Sequence, residues 1–219
     1  MTQSEEREQN IRHVIETAQS LFVENGISNT TINRIAAESG LSAMSVYRYF
    51  QTKENLILTV WKDSLQKFYG WYLKRYRPRA AELTNGYEKF LAALDVYIEL
   101  YSENPEYFAY TREMFATSSR LFPTEKGKQA EDVFWKYFDR EIPIPIFKAL
   151  REGMEDGSIR PDVNIYEVYQ LVYNVYTGTS IYNNVMAEDG PVDTIRFTKT
   201  LLAGYLTLES YERERAENG

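Results

Sequence analysis

Residues 30–56 read TTINRIAAESGLSAMSVYRYFQTKENL, and their spacing resolves into two short helices around a turn. Thr30 and Thr31 offer an N-cap for a helix running through Ser39, because a threonine hydroxyl accepts from an unpaired amide of the first turn. In Gly40-Leu41-Ser42, the glycine tolerates positive φ and the serine caps a second helix from Ala43 to Phe50. Two helices crossing steeply over so short a turn need a small residue at the crossing, which Ala36 supplies. Ile35, Leu41, Val46 and Phe50 then wedge the pair against the helix before it. At about 100° per residue, turning Val46 and Phe50 inward leaves Met44 and Arg48 in the middle of the opposite face, flanked by Ser45 and Tyr47. That outward face would enter a DNA major groove. Helical hairpins with a glycine turn also occur in plain bundles, so the spacing alone leaves both readings open.

Outward from this segment, apolar residues recur at helical spacing almost throughout, and no alternating strand bounded by hairpin signals is found. The fold class expected is all-α with about nine helices: an N-terminal three-helix module, a long fourth helix, and a C-terminal helical domain for ligand binding and dimerisation. Ile11, Val14, Ile15, Ala18, Leu21 and Phe22 form the stripe of the first helix, which stops near Asn25-Gly26 in a left-handed end. Thr52 can cap the fourth helix, which meets no proline until Pro78 and so runs from about Lys53 to Tyr76, roughly 35 Å. The hinge in sequence is Arg77-Pro78-Arg79, and the domains divide as 1–55 and 56–219. Phe90, Leu91, Leu94, Ile98 and Tyr101 mark a fifth helix; Asn104-Pro105 opens a sixth. Val133, Phe134, Tyr137 and Phe138 begin a seventh, kinked or split by Pro143 and Pro145 and ending at Asp156-Gly157. An eighth carries Val168, Leu171, Val172, Val175 and Tyr176, and a ninth runs through Ile195, Leu202 and Leu208.

The chain of 219 residues carries a net charge of −7, which weighs against a strongly basic nucleic-acid binder. Its distribution answers the objection: residues 1–61 hold five Lys/Arg against seven Asp/Glu, whereas residues 80–219 hold fourteen against twenty-four. A near-neutral module still binds DNA if its few cations and donors converge on phosphates, although it binds random DNA weakly. There is no cysteine and one histidine, His13, which falls off the apolar stripe. With no Gly-rich phosphate loop and no Glu-x-x-His pair either, no catalytic residue, metal site or cofactor is expected. No run reaches the apolar length of a membrane span, and the polar N-terminus is unlike a secretory signal, so a cytoplasmic location is expected.

Thr30-Thr31-Ile32-Asn33-Arg34-Ile35-Ala36, Gly40-Leu41-Ser42, Val46-Tyr47-Arg48-Tyr49-Phe50 and Lys53-Glu54-Asn55-Leu56 closely resemble the DNA-binding signature of the TetR (tetracycline-repressor) family. The match is specific in order, spacing and residue type. Beyond it, only the helical layout and the stretch Gly157 with Arg160-Pro161-Asp162 resemble the family. The resemblance implies that Thr31 bonds a phosphate, that Tyr47 and Tyr49 contact backbone or a thymine methyl, and that Lys53 adds its charge to a helix N-terminus against another phosphate. Asn33, Ala43, Met44 and Ser45 take positions that reach base edges, with Arg48 on the same face. Ala43 and Met44 depart from many relatives in offering no hydrogen bonds, so readout through them would be apolar. The basic run Lys62, Lys67, Lys74, Arg75, Arg77 and Arg79 extends too far up the fourth helix to reach the groove, and is expected to be solvated or to favour the helix C-terminus.

The C-terminal part is rich in aromatics. Tyr72, Tyr97, Tyr101, Phe108, Phe115, Phe134, Phe138, Tyr173 and Tyr176 are the candidates for a mainly apolar effector pocket that the resemblance implies, with core packing as the plain alternative. Glu99, Glu103 and Glu113 stand near them in sequence as solvated carboxylates or as partners of a cationic ligand. The last two helices carry small residues at Gly178, Thr179, Ser180 and Gly204, and the resemblance puts the homodimer there as a four-helix bundle. The resulting expectation is a ligand-responsive repressor. It binds a roughly palindromic double-stranded operator as a dimer, and a small apolar or aromatic effector releases it. The rivals are a helical interaction protein without DNA binding and, less well supported, an enzyme on a helical bundle.

Overall fold

The computed structural model describes residues 2–121, 145–186 and 192–218. All regular structure among them is helical: α1 Gln3–Asn25, α2 Ile32–Glu38, α3 Ala43–Phe50, α4 Lys53–Ala81, α5 Gly86–Glu103, α6 Pro105–Leu121, α7 Pro145–Asp156, α8 Ile165–Met186, α9 Val192–Tyr205 and α10 Leu208–Asn218. The part of the expected seventh helix around Val133 to Phe138 lies outside the described residues, and α7 opens with a proline at its first position. The chain forms two compact units, one of residues 1–69 with 106–130, the other of residues 70–105 with 131–219. The compact units therefore divide within α4 at Tyr69 and Gly70, later than the boundary at 55/56 expected from the helix-turn-helix, and α6 returns to the first unit.

In the first unit, α1 opens on a capping box. The Thr2 hydroxyl accepts from the Glu5 amide and the Glu5 carboxylate accepts from the Thr2 amide, so two amides that the helix leaves unpaired are satisfied. The helix buries Val14, Ile15, Ala18, Leu21 and Phe22 and stops at Gly26, with φ +81° and ψ 147°. That is not the left-handed helical geometry expected at this end; it is a more extended positive-φ conformation essentially confined to glycine. Thr31 and Ser42 cap α2 and α3 by accepting from Arg34 N and Ser45 N, and Gly40 makes the turn at φ +67°. Ile35, Ala36, Val46 and Phe50 are buried, whereas Leu41, the remaining member of the expected wedge, is only half-buried in the turn. Tyr110 of α6 is fully buried; its ring stacks on Phe22 and its hydroxyl donates to the carbonyl of Ile57 at 2.9 Å.

Helix α4 does not stop before Pro78 but carries it inside, ending at Ala81. Proline forfeits one amide bond and crowds the carbonyl four residues earlier. Here that loss falls in the final turns, which side-chain pairs tie to α5: Arg79 makes a two-pronged bond to Glu99 at 2.7 and 3.0 Å, and Arg75 reaches Glu103 while lying 3.9 Å over the Trp71 ring. Arg75 and Arg79 of the distal basic run thus pair with the two glutamates, and Lys67 pairs with Asp63 one turn earlier.

In the second unit, α5 and α7 touch backbone to backbone. A Cβ on Gly86 would stand 2.0 Å from Gly153 N, so only glycine fits this crossing. Asp156 closes the contact by accepting from Gly86 N at 2.7 Å and from Ser158 N, and these bonds, the Ser158 hydroxyl first among them, hold its carboxyl below the usual range. Tyr72, Tyr97 and Tyr176 pack ring on ring between α4, α5 and α8.

Sequence periodicity ends the ninth helix at Leu208, but α9 stops at Tyr205 and a separate α10 follows. This helix is strongly polar, and its anchor is one side chain outside it. Arg160, 3% exposed, donates to both oxygens of Asp162 and both of Glu214 at 2.6–3.0 Å, and also to Ser210 Oγ. Its guanidinium lies between the rings of Tyr205 and Tyr211. Hydrogen bonds from Arg160 come first among the causes that lower the carboxyl pKa of both Asp162 and Glu214. A carboxylate with a lowered folded pKa contributes stability that is present above its unfolded pKa and lost as pH falls through the folded one. Replacing Arg160 with Met is therefore expected to lower the melting temperature at pH 7 and to expose the amides of residues 208–218 to exchange. The gap between variant and wild type should narrow as the pH is taken below the ordinary carboxylate range of about 4. A gap unchanged from pH 7 to pH 3 would mean that these ion pairs do not hold α10.

Candidate nucleic-acid interface

The capping and wedging of α2 and α3 fix which side chains face out. Val46 and Phe50 are buried, so the opposite face of α3 is presented to solvent: Met44 is 77% and Tyr47 47% exposed, and Arg48 lies one turn on from Met44. These three form the contiguous patch that the sequence places there. Arg48 leans over the Tyr49 ring at 5.4 Å, and Tyr49 packs edge-on against Phe50, which leaves it half-buried. Asn33 and Thr31 are exposed on α2. The Thr31 hydroxyl oxygen already accepts from Arg34 N, while its own O–H remains able to donate.

Two candidates are more committed than the sequence suggests. Ser45 is half-buried and shares a hydrogen bond with the Ser42 hydroxyl at 3.0 Å while its amide is capped by the same oxygen. Lys53 directs its ammonium back onto the carbonyl of Ile27 at 2.6 Å; burial lowers its pKa, against the opposing effect of Glu54. Arg34, which the sequence reading does not single out, is tied to Asn25 Oδ1 at 3.1 Å. Ala43 is half-buried at the start of α3.

Among the described side chains of the aromatic pocket candidates, Tyr72, Tyr97 and Tyr176 come together in the second unit. Tyr72 and Tyr176 are core residues: they are 0% and 6% exposed, and their hydroxyls donate to the carbonyls of Ala93 and Leu94. Burial foremost pushes the Tyr176 pKa well up. Tyr97 is half-buried between them, and Tyr173 stacks on Tyr169, itself 4.7 Å from Phe147. Phe108 belongs to the first unit, edge-on to Tyr107, whose ring stacks on Phe68. Tyr101 and Phe115 lie on α5 and α6 with side chains outside the described part, and Phe134 and Phe138 lie outside the described residues. Glu113, expected near the aromatics as a solvated carboxylate or ligand partner, instead accepts from the amide of Ile27. No signal local in sequence could have found that bond across 86 residues. Among the described residues no group of three or more His, Asp or Glu could hold a metal ion, and no helix is long and apolar enough to cross a membrane.

A family model described as bacterial regulatory proteins, tetR family, matches residues 14–60, the span from the buried half of α1 to the first turns of α4. The chain is 24% identical over 163 residues to the HTH-type transcriptional repressor KstR2 of Mycobacterium tuberculosis, covering 73% of this chain and 74% of that protein. It is 20% identical over 166 residues to the fatty acid metabolism regulator protein of Bacillus subtilis, covering 76% and 79%. The crystal structure of the regulator FadR from Bacillus subtilis in complex with stearoyl-CoA superimposes with a TM-score of 0.67 at 18% identity, over 88% of this chain and 97% of that one. The capped helix pair and the exposed α3 face both fall within the matched span, so residues 14–60 are similar in sequence and in helical layout to the DNA-binding segment of the tetR family of bacterial regulatory proteins.

Proposed function

We propose that this protein is a ligand-responsive transcriptional repressor that binds a roughly palindromic operator as a homodimer. The single observation that carries the DNA half is the exposed face of α3, where Met44, Tyr47 and Arg48 stand out from a helix whose other face is locked into the core. Met44 offers dispersion to a thymine methyl, Tyr47 a hydroxyl for backbone or base, and Arg48 a cation. Thr31, with its free donor, and Lys53, with two ammonium hydrogens beyond the one given to Ile27, frame the patch from the starts of α2 and α4, where helix N-termini favour phosphate. Asn33 and Tyr49 complete the surface; Ala43 and Ser45 contribute shape more than hydrogen bonds.

The dimer half rests on an apolar face that is exposed among the described residues of the second unit. On α9, Phe197 is 62%, Leu201 57% and Tyr205 42% exposed, and on α8 Leu171 is 48% exposed. Phe197, Leu201 and Gly204 follow one another at helical spacing, and Leu171 is spaced likewise from Asn174 and Gly178. Neither Gly178 nor Gly204 has an atom within 4 Å of where a Cβ would stand, which leaves room for a partner backbone. A second copy meeting this face makes a self-complementary interface and presents two α3 helices to two half-sites.

The effector is a mainly apolar molecule. The fatty acid regulator and the stearoyl-CoA complex among the relatives support that chemistry, and Tyr97 and Tyr173 are the half-buried candidates to meet it. Its binding releases DNA by favouring one spacing of the two heads, and α4, continuous from one unit into the other, is the joint that carries the preference.

Replacing Tyr47 and Arg48 together with alanine is expected to lower operator affinity by about a hundredfold or more, two contacts at roughly 1–3 kcal/mol each, with helicity and dimer mass unchanged. Undiminished binding in a gel shift would exclude α3 as the reading helix. Placing aspartate at both Phe197 and Leu201 is expected to give a folded monomer in sedimentation; a normal dimer would exclude this face.

A further inference from the structure

Ile27 lies in the turn between α1 and α2 with its side chain fully buried, and both of its backbone polar groups are taken by charged side chains brought from elsewhere in the chain. Its amide donates to Glu113 Oε2 of α6 at 3.3 Å, and its carbonyl accepts from Lys53 Nζ at the start of α4 at 2.6 Å. The fit around the carboxylate is close. A Cβ on neighbouring Gly26, whose φ is +81°, would stand 3.3 Å from the same Glu113 oxygen. One turn earlier on α6, Tyr110 stacks on Phe22 in the last turns of α1 and bonds the carbonyl of Ile57 on α4. The Thr30 hydroxyl bonds the carbonyls of Leu21 and Gly26, so the turn that launches α2 is held at both ends.

A partly buried amide that loses its acceptor costs stability, and a turn fixed at both polar groups passes any displacement of its holders to the next segment of chain. That segment begins with Thr31, the cap of α2, and continues into the pair α2 and α3. The two holders stand on the two helices whose chains run on into the second unit: α4 enters it at Gly70, and α6 comes after α5 across the single residue Asn104.

We propose that Glu113 is a positioning residue for operator binding: through the Ile27 amide, α6 sets the angle at which α2 and α3 leave α1. This rests on the repressor reading above. Helix α4 alone does not then fix the head; it is held by α4 and α6 together, and a ligand that shifts α6 loosens the grip at Glu113 without touching the DNA surface. The geometry of the carboxylate oxygen matters here more than its charge, because the amide needs an acceptor at one point.

The test uses the full chain and three variants, Glu113→Gln, Glu113→Asp and Glu113→Ala, titrated against an operator fragment selected with wild type and against a scrambled duplex. Hydrogen exchange is read on the peptide containing Ile27. Gln keeps an acceptor at the same reach and is expected to stay within about threefold of wild type, while Asp, one methylene short, and Ala lose about tenfold in operator affinity, the scale of such coupling. Scrambled-duplex affinity should stay unchanged, and Ile27 exchange should rise in Asp and Ala but not in Gln. Wild-type operator affinity in the Asp variant, or an equal loss in Gln and Ala, overturns the assignment, and the Gln and Asp pair decides it even where Ala fails to fold. Should wild type select no operator, the repressor reading fails instead, and exchange at Ile27 still reports whether Glu113 holds the turn.

Discussion

The first unit depends on the turn at Gly26 and Ile27. Helix α1 must end there, since Gly26 takes a positive φ with an extended ψ, and the chain must leave in the one direction that lets Thr31 cap α2. Ile27 anchors the turn from within by full burial, while Lys53 and Glu113 hold its backbone from two other helices. A helix-turn-helix of only seven and eight residues is too short to be stable alone. Its place is therefore set by α1, α4 and α6. The register in which the near-neutral head presents Met44, Tyr47 and Arg48 is thus supplied by the protein core.

Helices α1 to α3 and the start of α4 were legible because each carries its own local instructions. Thr31, Ser42 and Gly40 act within three or four residues, and the apolar spacing of Val14 to Phe22 and of Val46 to Phe50 states which face is inside. The bundle helices were legible as helices for the same reason. The features that sequence missed are non-local. Helix α10 has no apolar stripe to announce it, and its anchor, Arg160, lies two helices earlier in the chain. The end of α4 was misplaced because Pro78 reads as a breaker until the pairing of Arg75 and Arg79 with Glu103 and Glu99 is known. The same pairing removes both glutamates and both arginines from the charges open to a ligand.

The candidate site divides in the same way. Exposure of Met44, Tyr47 and Arg48 follows from periodicity, whereas the engagement of Ser45 with Ser42 and of Lys53 with Ile27 depends on caps and on a contact across 26 residues. For the aromatic candidates, helical spacing cannot separate a ring that lines a cavity from one that fills a core. Tyr72 and Tyr176 fill the core, with their hydroxyls spent on the carbonyls of α5. Phe108 lies in the other unit altogether.

The central claim is that a near-neutral head reads sequence through α3, and a salt titration tests it most directly. Labelled operator and a scrambled duplex of equal length are titrated with the wild-type protein across a series of salt concentrations. Each neutralised phosphate contributes about 0.9 to the slope of log affinity against log salt, so two such heads predict a modest slope, roughly 4 to 8 in magnitude, with the scrambled duplex bound far more weakly at physiological salt. Equal binding of the two duplexes at every salt concentration would contradict the claim, because α3 would then be reading no sequence.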